Sequence, residues 1–131
     1  MKMTIVVPGI PIPKGSTTSY MVNSKIVTTN ANKRTKAWQD AISILVRSSW
    51  KGEPSRDAIS VRAYFTMPRP QNPKGEYHLV KPDLDKLIRA VLDAMTGIVY
   101  TDDSQVVVIN SYKVYGTSPG LRLEVEEMEQ P

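Results

Sequence analysis

One stretch limits the possible folds more than any other. From Leu84 to Met95 the apolar residues Leu84, Leu87, Ile88, Val91, Leu92 and Met95 recur at i, i+3, i+4, i+7, i+8 and i+11, the spacing of a helix that buries one face. A three-turn helix with so complete a stripe needs another layer to pack on. Pro82 fits the first turn, where its missing N–H costs nothing, and Gly97 fits the end. Asp85, Arg89 and Asp93, spaced four apart, share a second face.

The flanking sequence supplies that layer. Met3 to Val7 (MTIVV) has the composition of a buried strand ended by Pro8, and residues 9–15 form a proline-rich connection. SYMVNSKIVTT predicts a hairpin turning near Asn23-Ser24. Trp38, Ala41, Ile42, Leu45 and Val46 mark a second amphipathic helix from Asn32 to about Ser49, whose exposed start carries Lys33, Arg34 and Lys36. Ala58 to Met67 alternates apolar and polar residues as a half-buried strand does. Pro68 to Lys81 reads as a long loop, of the length that is usually functional or mobile. Two more strands, Gln105 to Tyr115 and Leu121 to Val125, follow the central helix, and the acidic tail from about residue 126 is expected to fray. The prediction is one α+β domain over residues 1–131, a mixed sheet of about five strands with two main helices.

Composition narrows the function. The 131-residue chain has no cysteine, so disulfides and thiolate metal sites are excluded and a cytosolic setting is the default. No run approaches the ~18 apolar residues of a membrane span. Net charge is +4, and it is unevenly spread: residues 1–60 hold nine basic against three acidic residues, whereas 61–131 hold eight against ten. Such an asymmetry fits a nucleic-acid surface beside a metal-binding centre, and equally the uneven solvation of two faces.

The acids themselves sit in two groups around the central helix, Asp83 and Asp85 before it, Asp102 and Asp103 after it. A hard cation such as Mg²⁺ takes oxygen ligands, and a few carboxylates suffice because it keeps several waters. It can then activate water and polarise a phosphodiester while basic residues hold the backbone. The same acids also suit helix capping and an ordinary turn, and spacing by itself favours that plainer reading.

The run KPDLDKLIRAVLDAMTG followed by TDDSQVV resembles the signature of the RusA family of Holliday junction resolvases, commonly phage or prophage proteins. PGIPIPKG, FTMPRP and SYKVYG support the likeness in the same order along most of the chain. The resemblance implies that Asp83, Asp85 and Asp103 bind Mg²⁺, with Mn²⁺ as an alternative, and that Asp102 can assist. Arg89 stands where the family has its catalytic lysine and Lys86 where it has asparagine; arginine keeps the charge but is no proton donor. A homodimer acting on four-way junctions in a bacterial or phage-infected cytoplasm is implied as well. On this basis the central helix is expected to bring Asp83 and Asp85 to Asp103, with Asp93 pairing with Arg89.

Lys14, Lys33, Arg34, Lys36, Arg69, Lys74 and Lys86 are the candidate DNA contacts. Ser16, in Lys14-Gly15-Ser16, departs from the family's arginine-rich version of that loop. His78, the only histidine, has no second histidine for a triad, and Trp38 and Trp50 read as core. Two alternatives remain open at this point: a non-catalytic dimer that grips branched DNA, and a nuclease acting on flaps or forks.

Overall fold

The computed structural model describes residues 1–15, 19–22, 25–28 and 31–129, with side chains left out at 19–22, 25–28, 31 and 32. Its elements are β1 (Lys2–Pro8), β2 (Ser19–Val22), β3 (Lys25–Thr28), α1 (Ala31–Ser49), β4 (Ala58–Pro68), α2 (Leu84–Met95), β5 (Val106–Gly116) and β6 (Gly120–Met128). A 3-10 turn, Asp103–Gln105, precedes β5. No helix among the described residues is long and apolar enough to cross a membrane.

Alternation decides how the strands sit. Met3, Ile5 and Val7 of β1, Ile59 to Met67 at every second position of β4, and Leu121, Leu123 and Val125 of β6 are all buried. Period-2 burial places these residues on one face of the sheet. That face meets α1 and α2, which also pack against each other. Within the helices the same cluster takes in Trp38, Ile42 and Val46 of α1 and Leu87, Val91 and Met95 of α2. Trp50 is buried too, as expected of a core residue.

The sheet has four strands in the order β1-β6-β4-β5, one fewer than expected from sequence, because β2 and β3 pair only with each other. The connection before them contains Pro11 and Pro13, and proline has no N–H to donate to a sheet ladder. The turn at Asn23-Ser24 lies outside the described residues. β6 lies antiparallel to both β1 and β4, while β4 and β5 are parallel. A parallel pair needs a crossover rather than a tight turn, and α2 is that crossover.

Two local expectations are corrected. Pro82 does not occupy the first turn of α2: Asp83 is the N-cap, and Pro82 lies outside the helix after a cis peptide bond. The acidic tail does not fray at residue 126, since β6 runs on to Met128. Glu126 pairs with Lys2 on one side and Ser60 on the other, so a central position holds what composition alone would release. Within the long loop, Tyr77 bridges to Val114, and the N–H of Tyr115 donates to the Glu76 carbonyl at 2.8 Å.

Glycine is needed where β1 and β6 come together. A Cβ on Gly120 would stand 2.8 Å from the Val7 carbonyl oxygen, closer than side-chain carbons approach backbone. Gly97, with φ of 85°, makes the left-handed turn that ends the α2 segment.

Phe65 is fully buried at the centre of the shared core. Phe65→Ala is expected to lower unfolding free energy by about 3–5 kcal/mol, read as a lower urea midpoint with little change in slope. A loss below about 1 kcal/mol would show that this face is not packed as described.

Candidate active site

The head of α2 presents the first two acids. Asp83 has extended N-cap backbone, yet its side chain makes no capping hydrogen bond, so the plain capping role does not account for it. Its carboxylate is 55% exposed, with Lys81 Nζ at 4.0 Å. Asp85 is 70% exposed and accepts from Lys86 Nζ at 2.8 Å. This hydrogen bond holds the Asp85 carboxyl below the usual range, and Lys86's charge adds to the effect.

The second pair divides its labour. The Ser104 N–H donates to Asp102 Oδ1 at 2.9 Å, completing with Gln105 a capping box on the 3-10 turn. That backbone contact keeps the Asp102 carboxyl below its ordinary range. Asp102 therefore has a structural contact, and Asp103 beside it is exposed. Gln105 clamps the turn: its Oε1 accepts from the Thr101 N–H, the Thr101 hydroxyl and the Asp102 N–H, and its Nε2 donates to the Ser55 and Asp57 carbonyls. Sequence reading passed over Gln105 as an actor, although its place in the DD-x-Q run was the available signal.

α2 separates the two pairs. Twelve residues at 1.5 Å each set its ends about 18 Å apart. The acidic turn is bound to Ser55 and Asp57 at the beginning of β4, whereas Asp83 stands near its far end, lining a groove with Met67 and Pro68. Among the described residues no three His, Cys, Asp or Glu side chains converge to hold a metal. The expectation that α2 brings Asp83 and Asp85 to Asp103 within one chain is thus corrected; a three-turn helix spaces its ends rather than joining them.

The cations are distributed differently from the sequence reading. Lys14 Nζ donates to Asp93 Oδ2, and Gln39 Nε2 donates to the same oxygen at 3.0 Å. Asp93 therefore pairs with Lys14, and Arg89 adds only a nearby charge. Arg89 is exposed one turn after Asp85. Arg34, Lys81 and Lys86 line the groove with Asp83. Lys36 pairs with Asp40 at 3.3 Å, and Lys33, Arg69 and Lys74 are exposed outside that groove. Ser16 lies outside the described residues.

Three further residues matter. Lys113, on the helix-facing side of β5, donates through Nζ to the carbonyls of Val80 at 2.8 Å and Pro82 at 2.7 Å, fixing the chain just before Asp83. A lysine between Tyr112 and Val114, in the second half of the strand, was the sequence signal. His78 is buried, edge-on to Tyr115 with ring centroids 5.2 Å apart. Burial, and then the charge of Lys113, push its imidazole below the ordinary value. At the other end of α2 the buried Tyr100 hydroxyl donates to the Leu92 carbonyl, and burial, followed by Asp103's charge, drives that phenol far above its usual range.

Residues 8–126 match the family described as Endodeoxyribonuclease RusA. The chain is also similar to "Uncharacterized protein YqaN" of Bacillus subtilis (strain 168), 31% identical over 81 residues. That match covers 54% of this chain and 57% of the relative, so the chain spans little more than half of the curated protein it matches.

The Lys14–Asp93 pair yields a pH prediction. Because the Asp93 carboxyl is depressed, chiefly by Lys14, its contribution is complete above the ordinary value of 3.8 and disappears as pH falls through the lower folded value. Both side chains are part-exposed, which limits the contribution to at most about 1 kcal/mol. Asp93→Asn should lower stability at pH 7 while losing less on acidification to pH 3, measured by urea unfolding at both values. An unchanged pH slope would remove Asp93 from the acid response.

Proposed function

The chain belongs to the family of endodeoxyribonuclease RusA, and on that premise we propose a metal-dependent, structure-specific endodeoxyribonuclease that resolves four-way DNA junctions as a homodimer in recombination and repair. The observation that carries this reading is the exposed Asp83–Asp85 pair at the head of α2, with the Asp83 side chain unused for capping and Arg34 and Lys86 beside it.

The donor set fits a hard divalent ion in part. Asp83 and Asp85 supply charged oxygen ligands open to solvent, and Mg²⁺ or Mn²⁺ asks for few protein carboxylates beside its waters. When bound, such an ion polarises the phosphodiester and makes a bound water a better nucleophile. Lys86 and Arg34 hold backbone phosphates, and Arg89, on the same helix face as Asp85, stabilises charge building on the phosphate being cut.

Separation of the two acid pairs supports the dimer. Asp103 is held about 18 Å of helix away from Asp83 and Asp85 of its own chain, and on this reading the third acid of each site comes from the second subunit of a two-fold assembly. Two equivalent composite sites follow from the symmetry, matching the two symmetric strands of a junction that are cut as a pair.

A labelled four-way junction should be nicked in Mg²⁺ or Mn²⁺ and left intact in EDTA, with fork and linear duplex as comparisons. Asp85→Asn should keep junction binding and lose cleavage by on the order of 100-fold or more. Full cleavage in EDTA sinks the metal mechanism, and binding without nicking in either ion favours a non-catalytic binder. Mixing Asp85→Asn with Asp103→Asn chains should recover nicking, up to about a quarter of wild-type sites, because each mixed dimer regains one site with all its acids. No recovery despite subunit exchange would place each site within one chain.

Arg89→Ala is expected to lower the cleavage rate about 100-fold or more while changing junction affinity only a few-fold. Equal losses in rate and affinity would make Arg89 a plain phosphate contact.

A further inference from the structure

Beside Asp83 lies a groove of about 680 Å³, a volume in the range of small-ligand sites. Pro11, Ile12 and Pro13 line it together with Met67 and Pro82, so the lining is mostly apolar. His78 also lines it; that residue is 6% exposed, and its Nδ1 is buried with no hydrogen-bond partner. A buried polar atom without a partner is uncommon and calls for an explanation such as an absent ligand. The rim is cationic, with Arg34, Lys81 and Lys86 against the single acid Asp83.

The lining is pinned. The Thr35 hydroxyl donates to the Pro13 carbonyl at 2.9 Å, and the Lys14 N–H donates to the Lys86 carbonyl at 3.0 Å. Lys113 holds the Pro82 carbonyl, and the His78 N–H donates to the Lys113 carbonyl at 3.3 Å. The groove is therefore formed before anything enters it.

We propose that this groove receives one unpaired nucleobase of the bound DNA, from a nucleotide next to the phosphate that is cut. The inference rests on the junction-nuclease reading and adds a base-binding site to it. The apolar lining takes the faces of a base, and the polar His78 side chain stands in that lining. The three rim cations meet the phosphates on either side, and Asp83, shared with the candidate metal site, fixes the groove beside the reacting phosphate. A branch point provides such a base at low cost, since unstacking is cheapest where pairing is already interrupted. The base then discriminates among possible cut positions, a selectivity that phosphate contacts alone do not give.

The test uses four-way junctions carrying 2-aminopurine at successive positions around the branch point, with the full chain added in EDTA. Fluorescence is expected to rise several-fold at one position on binding. Ile12→Phe, which fills the groove, should abolish that rise while junction affinity falls less than about tenfold, because phosphate contacts dominate affinity. Bound junction with no rise at any position overturns the groove proposal and leaves the nuclease reading standing. So does a rise that survives Ile12→Phe, or dissociation of the dimer by Ile12→Phe, which would make the groove a protein interface. Absence of junction binding overturns the nuclease reading, and the groove proposal with it. The unaltered chain gives a second measurement: 5-iodouracil at the same position should cross-link within residues 10–15, 67–68 or 78–86, and adducts confined to other residues overturn the proposal.

Discussion

Burial of the α2 stripe against α1 and β5, in the core shared with the sheet, is the contact on which the rest of the structure depends. β4 and β5 are parallel neighbours, so the chain must travel back along the sheet between them, and an amphipathic helix does this while completing the core. Leu87, Val91 and Met95 are fully buried on it. The same packing fixes both helix ends at once, with Asp83 and Asp85 at one and the clamped acidic turn at the other. Loss of the stripe would displace both acid pairs together.

Charge is layered over this frame in weak, exposed contacts. Lys14 meets Asp93, Lys86 meets Asp85 and Lys36 meets Asp40, all at least part-exposed. Exposed pairs contribute little stability, so their cations can be exchanged from carboxylates to phosphates at small cost. The partly buried polar groups behave differently. Gln105 uses both ends of its side chain within the fold, and Lys113 spends two donors on the loop before Asp83. The site thus combines a rigid support with open, lightly committed charges.

Much of this was legible in the sequence, for identifiable reasons. The stripe from Leu84 to Met95 and the alternation from Ala58 to Met67 are long periodic signals, and both elements form where the pattern places them. Glu126 and Glu127 misled because their composition is that of a frayed tail, whereas β6 gains partners on both sides. Asp93 misled because Arg89, one turn away, was the visible partner, while Lys14 arrives from 79 positions earlier in the chain. His78 gave no signal beyond being the only histidine, because its burial against Tyr115 is a contact distant in sequence.

The sequence by itself determined the elements, their inward faces and the family, because periodicity and motif spacing are local properties of the chain. Only the tertiary structure decided that β6 lies at the centre, that Lys14 belongs to Asp93, and that the Asp102 side chain caps its turn while the Asp83 side chain caps nothing. It also decided that the two acid pairs stand apart. Spacing along a sequence says which residues share a helix face, but the distance between the helix ends is set by its rise of about 1.5 Å per residue and by what each end is tied to.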